Sequence, residues 1–147
     1  MPEMKSYTSG AFCWADLATT DLRGAQKFYS QLLGLEVFET PPAGMGEYTM
    51  LQKNGKNVCG LSPLPESLSN QGVPPHWTSY VSVTNADEIS AKVAELGGDV
   101  LQPPFDVMEL GRMALVRDTT GAKFALWQPG QNPGAQLFGE PGALCWY

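Results

Sequence analysis

The feature that most limits what this chain can fold into is a repeat. Gly10-Ala11-Phe12-Cys13-Trp14 returns as Gly142-Ala143-Leu144-Cys145-Trp146, 132 residues later, in a 147-residue chain that holds only three Cys and four Trp. Half that interval repeats as well. Residues 54–63, opening on Asn54-Gly55, align with residues 120–129, opening on Thr120-Gly121, at an offset of 66, and both stretches end in Pro. A fixed period of this kind means that one supersecondary unit is used repeatedly, each copy burying its apolar face with the help of a neighbour. The chain therefore reads as two half-length modules, residues 10–63 and 76–129, followed in a tail, residues 130–147, by a copy of the first strand.

Each module spells the same order of elements. In the first, residues 11–17 are strand-like, Thr19-Thr20-Asp21 offers capping residues, and Leu22, Ala25, Tyr29 and Leu32 recur at helical spacing before Gly34. Residues 35–39, 47–52 and 57–61 are three short apolar segments, separated by Pro41-Pro42-Ala43-Gly44 and by the hairpin signal Asn54-Gly55. In the second, residues 78–83 are the strand and Asn85-Ala86-Asp87-Glu88 resembles a capping box. Ile89, Val93 and Leu96 form the stripe, Gly97-Gly98 the stop, and residues 99–102, 113–117 and 123–128 three further strands, with a turn at Asp118-Thr119-Thr120-Gly121. Residues 63–75 read as a linker. The loop 102–111, with Phe105 and Met108, is a candidate apolar lid. Two βαβββ modules predict an α+β fold: a curved, mainly antiparallel eight-stranded sheet around a cavity, with the helices on its outer face, in one domain spanning residues 1–129.

Composition removes several classes of partner. With 15 acidic and 9 basic residues, a net charge of −6 and no run of Lys or Arg, neither nucleic acid nor an anionic membrane is expected as a partner. The first residues lack the apolar core of a signal peptide, and no apolar run approaches the roughly 18 residues of a membrane span, so a cytoplasmic protein is expected. An odd number of Cys at no metal-ligand spacing favours neither a disulfide framework nor a zinc site.

Paired βαβββ modules with Phe28-Tyr29 near the end of the first helix, Leu33-Gly34 after it, and a D-x-x-G turn at residues 118–121 resemble the vicinal oxygen chelate superfamily. That group includes glyoxalase I, extradiol dioxygenases, fosfomycin-resistance enzymes and bleomycin-resistance proteins. The resemblance covers residues 10–129 and carries the fold more specifically than any activity, because the superfamily hosts many chemistries. Within it, the chain resembles tandem glyoxalase-like or "hydroxylase-like" proteins whose two domains each begin with a strand of the type G-x-L-C-W. Residues 142–147 would then open a second domain.

Strand alternation assigns faces. Cys13, Ala15 and Leu17 are expected under the helix, leaving Trp14 and Asp16 facing the cavity. Trp77, Ser79, Val81 and Val83 point to the helix, and His76, Thr78, Tyr80 and Ser82 inward. Phe124 and Leu126 face the helix layer, so Lys123, Ala125 and Trp127 look inward, and the 66-residue offset places Asn57, Cys59 and Leu61 with them. The resemblance implies a metal held by His, Gln or Glu at one inward position on the first and last strand of each module. Those positions fall on Trp14, Cys59, Thr78 and Ala125, which offer one thiol and one hydroxyl where a divalent ion needs about three protein ligands.

No metal and no cofactor is therefore expected. The expected partner is a small aromatic or amphipathic organic molecule, bound by Trp14, Asp16, Cys59, His76, Thr78, Tyr80, Lys123, Ala125 and Trp127. Asp16 and Lys123 would either pair or orient a polar ligand. Two other readings stay open. One is a glyoxalase-like lyase or another enzyme of the superfamily, with His76, Cys59 or Asp16 as acid/base candidates. The other is the interaction half of a tandem protein. The apolar tail is expected to add a strand to a partner chain, giving a homodimer.

Overall fold

The structure is a computed structural model that describes residues 3–39 and 47–146; the separator Pro41-Pro42-Ala43-Gly44 lies outside them. Among the described residues it contains eight strands, mainly antiparallel, and three helices, the α+β class that the repeat predicts. No helix among the described residues is long and apolar enough to cross a membrane. Contacts divide the chain into two compact units, Ala15–Trp77 with segments from both chain ends, and Lys5–Trp14 with Thr78–Gly134.

The first unit holds most of β1 (Phe12–Thr19), then α1 (Leu22–Leu33), β2 (Glu36–Glu39), β3 (Thr49–Lys53), β4 (Lys56–Pro63) and the short α2 (Glu66–Ser69), which interrupts the expected linker. Its strands run in the order β2-β3-β4-β1, with β1 and β4 parallel and the other pairs antiparallel. Helix α1 begins where Asp21 caps it, the carboxylate accepting the Gly24 N–H at 2.9 Å, and ends at Gly34, whose φ of 66° a side chain would resist. Leu22, Ala25 and Tyr29 of α1 pack on a core of Leu17, Leu35, Leu51, Val58, Cys59 and Leu61. Leu32, in the last turn of α1, is exposed. Gln26 is buried instead and donates its amide to Thr49 Oγ1 at 2.7 Å.

The second unit repeats the plan with most of β5 (His76–Ser82), α3 (Ala86–Glu95), β6 (Asp99–Val107), β7 (Gly111–Arg117) and β8 (Lys123–Pro129), ordered β5-β8-β7-β6 with β5 and β8 parallel. Asn85 caps α3 by accepting the Glu88 N–H at 3.0 Å. Ile89 and Val93 pack on Val83, Ala114, Val116 and Leu126, whereas Leu96 falls on the C-cap beyond the last turn and is exposed. The Asp118 carboxylate accepts the N–H groups of Thr120 and Ala122 at 2.9 Å each, which closes the turn and holds this carboxyl below the usual carboxylate range. The expected lid is not a loop. Residues 99–107 and 111–117 form a hairpin turned through Met108, with a φ of 47°, and Pro103-Pro104 fall where the register shifts between Gln102 and Phe105 on an edge strand.

The tail corrects a second expectation. It does not extend as a copy of β1. Gln136 exchanges bonds with Asn57, its backbone N–H donating to the Asn57 carbonyl at 2.8 Å and its side-chain oxygen accepting the Asn57 N–H at 2.7 Å. Ala135 and Leu137 are buried, and Ala143 packs on the same core as α1. Leu144 makes only an isolated bridge to Phe138. The earlier part of the tail thus hides from water against its own unit, whereas Cys145 and Trp146 stay exposed. Leu137→Ala is expected to cost about 2 to 4 kcal/mol in urea unfolding. Trp146→Ala, at a residue 87% exposed, is expected to cost under about 0.5 kcal/mol. Equal losses would show that the tail is not docked.

Candidate functional site

The parallel pairs at the heart of each unit fix which side chains share a face. In the first unit Asp16 lies opposite Gly60 and Leu17 opposite Leu61; in the second Tyr80 lies opposite Ala125 and Val81 opposite Leu126. Leu17 and Leu61 belong to the core under α1, and Leu126 to the core under α3. Asp16 and Gly60, like Tyr80 and Ala125, therefore occupy the face away from the helix. Gly60, not Cys59, is the partner of Ala125 in the repeat. Cys59 and Leu61, placed on the open face by the 66-residue offset, are packed under α1.

The cause is one extra residue. Leu51 pairs with Cys59 but Gln52 pairs with Asn57, so Val58 is a bulge in β4. A bulge turns every later side chain to the other face, and an alignment anchored on the hairpin glycines keeps its parity only up to that point.

In the first unit the open face carries a polar pair. Tyr48, which precedes β3, donates its hydroxyl to Asp16 Oδ2 at 3.2 Å. The phenol lies on the bare backbone of Gly60, where an added Cβ would overlap it. Burial pushes the Cys59 thiol up to about 12, with the Asp16 charge adding to the effect, so this sulfur stays protonated at neutral pH. Burial raises Cys13 to about 12 in the same way. His76, at the start of β5, donates its Nδ1–H to the Pro74 carbonyl at 2.9 Å, beside Trp77 and Tyr29.

In the second unit the face away from the helix is aromatic, and its rings are buried, Tyr80 at 8% and Trp127 at 7% exposure. Tyr80 and Trp127 meet edge to face, with ring centroids 6.3 Å apart, over the small Ala125. The indole N–H of Trp127 donates to the Asn132 carbonyl at 2.8 Å, and the ring rests on Gly111 of β7, where a Cβ would strike it. Trp14 is buried in this unit, Thr78 is half-buried, and Lys123 is exposed at the start of β8, opposite Arg117.

Tyr48, Gly60, Gly111 and Asn132 were not among the residues singled out in the sequence. The two glycines were legible in principle, since a glycine inside a strand marks a close approach of another group. Tyr48 and Asn132 carry no comparable signal.

The positions that would hold a metal in relatives do not fit one here. Gly60 has no side chain, Ala125 has no donor, Trp14 is an indole, and Thr78 supplies one hydroxyl. Among the described residues no group of three or more His, Cys, Asp or Glu is placed to hold an ion.

Two βαβββ units, each with a parallel first and last strand and an open face opposite its long helix, define the class of protein. A family model described as the Glyoxalase/Bleomycin resistance protein/Dioxygenase superfamily matches residues 11–126, and the chain belongs to that superfamily. A Mycobacterium bovis protein named "Putative glyoxylase CFP32" is 40% identical over 147 residues, covering 99% of this chain and 56% of the relative. The anthracycline biosynthesis protein DauV of Streptomyces sp. (strain C5) is 34% identical over 153 residues, covering 97% of this chain and 56% of the relative. The chain thus spans about half the length of the curated relatives it matches. Among solved structures, methylmalonyl-CoA epimerase from Mycobacterium tuberculosis has a TM-score of 0.58 at 19% identity, over 86% of this chain and 92% of that one, a likeness of fold.

Two outcomes are expected from this geometry. Gly60→Ala forces Tyr48 off its seat and should cost about 1 to 3 kcal/mol, most of which disappears when Tyr48 is Ala. A double-mutant cycle in urea measures the coupling, and additive losses would refute the contact. A thiol reagent at pH 8 should titrate one fast cysteine, the exposed Cys145, while Cys13 and Cys59 react only on unfolding. Cys145→Ser should remove the fast phase; a second fast thiol would contradict the burial of the other two.

Proposed function

We propose that this chain binds a planar aromatic or amphipathic small molecule without a metal, using the aromatic face of the second unit. The observation that carries the reading is the pair Gly60 and Ala125. Both last-strand positions lack a ligating atom, while Tyr80 and Trp127, buried at 8% and 7% exposure, form an aromatic interior beside one of them. Stacking on such rings needs no ion, and each ring contributes about 1 to 3 kcal/mol when a ligand covers it. Thr78 and the neighbouring backbone supply the few polar contacts that orient a ligand on an apolar wall.

An enzyme of the glyoxalase type is the second reading, favoured by the name of the 40% identical relative. Asp16 and Tyr48 are its acid/base candidates, a carboxylate and a phenol already sharing a proton-bearing contact. The relatives' extra length supports a third reading, in which the complete activity belongs to a longer protein of two such domains.

The test titrates 1-anilinonaphthalene-8-sulfonate against protein treated with a chelator, following tryptophan fluorescence. Saturable binding is expected, unchanged by added Zn, Ni, Mn or Fe, and Trp127→Ala should weaken it about 5- to 100-fold. One tightly held metal per chain by elemental analysis, lost together with binding or with glyoxalase turnover on chelation, would overturn the metal-free reading.

A further inference from the structure

A recess lies on the helix side of the first unit. It is a cleft of about 350 Å³ lined by Leu17, Thr19, Asp21, Gly24, Ala25, Phe28, Tyr29, Pro75, His76 and Trp77. Three aromatic rings meet there at right angles. Tyr29 stands 5.0 Å from Phe28 and 5.3 Å from Trp77 by ring centroids, each pair 88° apart, and the indole N–H of Trp77 donates to the Tyr29 hydroxyl at 3.4 Å. Rings set at right angles make corners, and corners of aromatic faces carry the negative side of the ring quadrupole. Two of the three rings are open to solvent, Phe28 at 58% and Trp77 at 43%, an unfavourable arrangement for large apolar groups unless something covers them.

The charges in this cleft select the kind of ligand. Among the described residues Asp21 supplies the one carboxylate in its lining, and no Lys or Arg lines it; the nearby Arg23 is paired with Glu39. The N-terminus of α1 bears about half a positive charge, and the full negative charge of Asp21 outweighs it. An anion is therefore repelled where a cation is attracted. In its neutral form His76, whose Nδ1–H is committed to the Pro74 carbonyl, presents an accepting Nε2 to a ligand hydroxyl or ammonium N–H.

The geometry points to a binding site for a small organic cation, a quaternary or substituted ammonium group seated among Phe28, Tyr29 and Trp77 with Asp21 as its counter-charge. Such cations gain from aromatic faces and from a carboxylate together, and lose little by leaving water compared with a compact ammonium ion. The site is independent of the ligand face proposed for the second unit.

Choline and its uncharged isostere 3,3-dimethylbutan-1-ol separate charge from shape. In titrations followed by tryptophan fluorescence and calorimetry, choline is expected to bind saturably, and the isostere at least about tenfold more weakly. Trp77→Ala should abolish choline binding. Asp21→Asn, which retains a capping oxygen for α1, should weaken it about three- to tenfold. Trp127→Ala should leave choline binding unchanged while impairing the naphthalene probe, so each site can fail without the other. Equal binding of the two compounds, no saturable binding of choline, or wild-type affinity in both cleft variants would overturn the assignment. So would a dimer in light scattering that Trp77→Ala converts to a monomer and choline does not affect, since the rings would then be a protein interface.

Discussion

The parallel register between the first and last strand of each unit is the constraint on which everything else rests. It sets Asp16 against Gly60 and Tyr80 against Ala125, and with alternation of period two it decides which side chains reach the helix and which reach the opposite face. The helices then follow, because the apolar stripe of α1 has only one surface to cover, that of Leu17, Leu51 and Leu61. The chemistry of the open faces also follows. A polar pair occupies one unit and an aromatic pair the other, although the two units share one plan.

Much of that plan is legible in the amino-acid order because it depends on local signals. Asp21 and Asn85 announce helix starts, Gly34 a helix end, and Asn54-Gly55 a tight hairpin whose two residues both have positive φ, at 51° and 75°. The family resemblance likewise rests on spaced motifs, and the match over residues 11–126 agrees with it. What the sequence conceals is anything that shifts count without changing composition. The bulge at Val58 is one residue among apolar neighbours, and nothing in Lys56-Asn57-Val58-Cys59 marks it. It alone moved Cys59 from the open face to the core.

The tail and the hairpin at residues 107–111 fail for a different reason. Both were read from the similarity or irregularity of a short stretch, whereas their conformations depend on distant partners. Leu144 matches Phe12 in the repeat, yet the residues before it are tied to Asn57 and the core of the first unit, which leaves no length of free strand. Pro103 and Pro104 look like loop residues, but an edge strand tolerates them because one of its sides needs no donors. The candidate site was legible in part for the same reason. Tyr80 and Trp127 follow from alternation, while Tyr48 is brought to Asp16 only by the pairing of β3 with β4.

The seat of Tyr48 on Gly60 restricts the routes by which this chain can change. A histidine or carboxylate at position 60, such as a metal-binding descendant would require, cannot enter while the phenol covers that backbone. Loss of Tyr48 must come first, and by itself it removes the donor to Asp16 and gains nothing in return. The two substitutions are thus ordered, with the harmful one leading. An interlock of this kind acts as a ratchet: with glycine and tyrosine both in place, a bulkier residue at position 60 is excluded by the phenol, and the two positions can change in one order only.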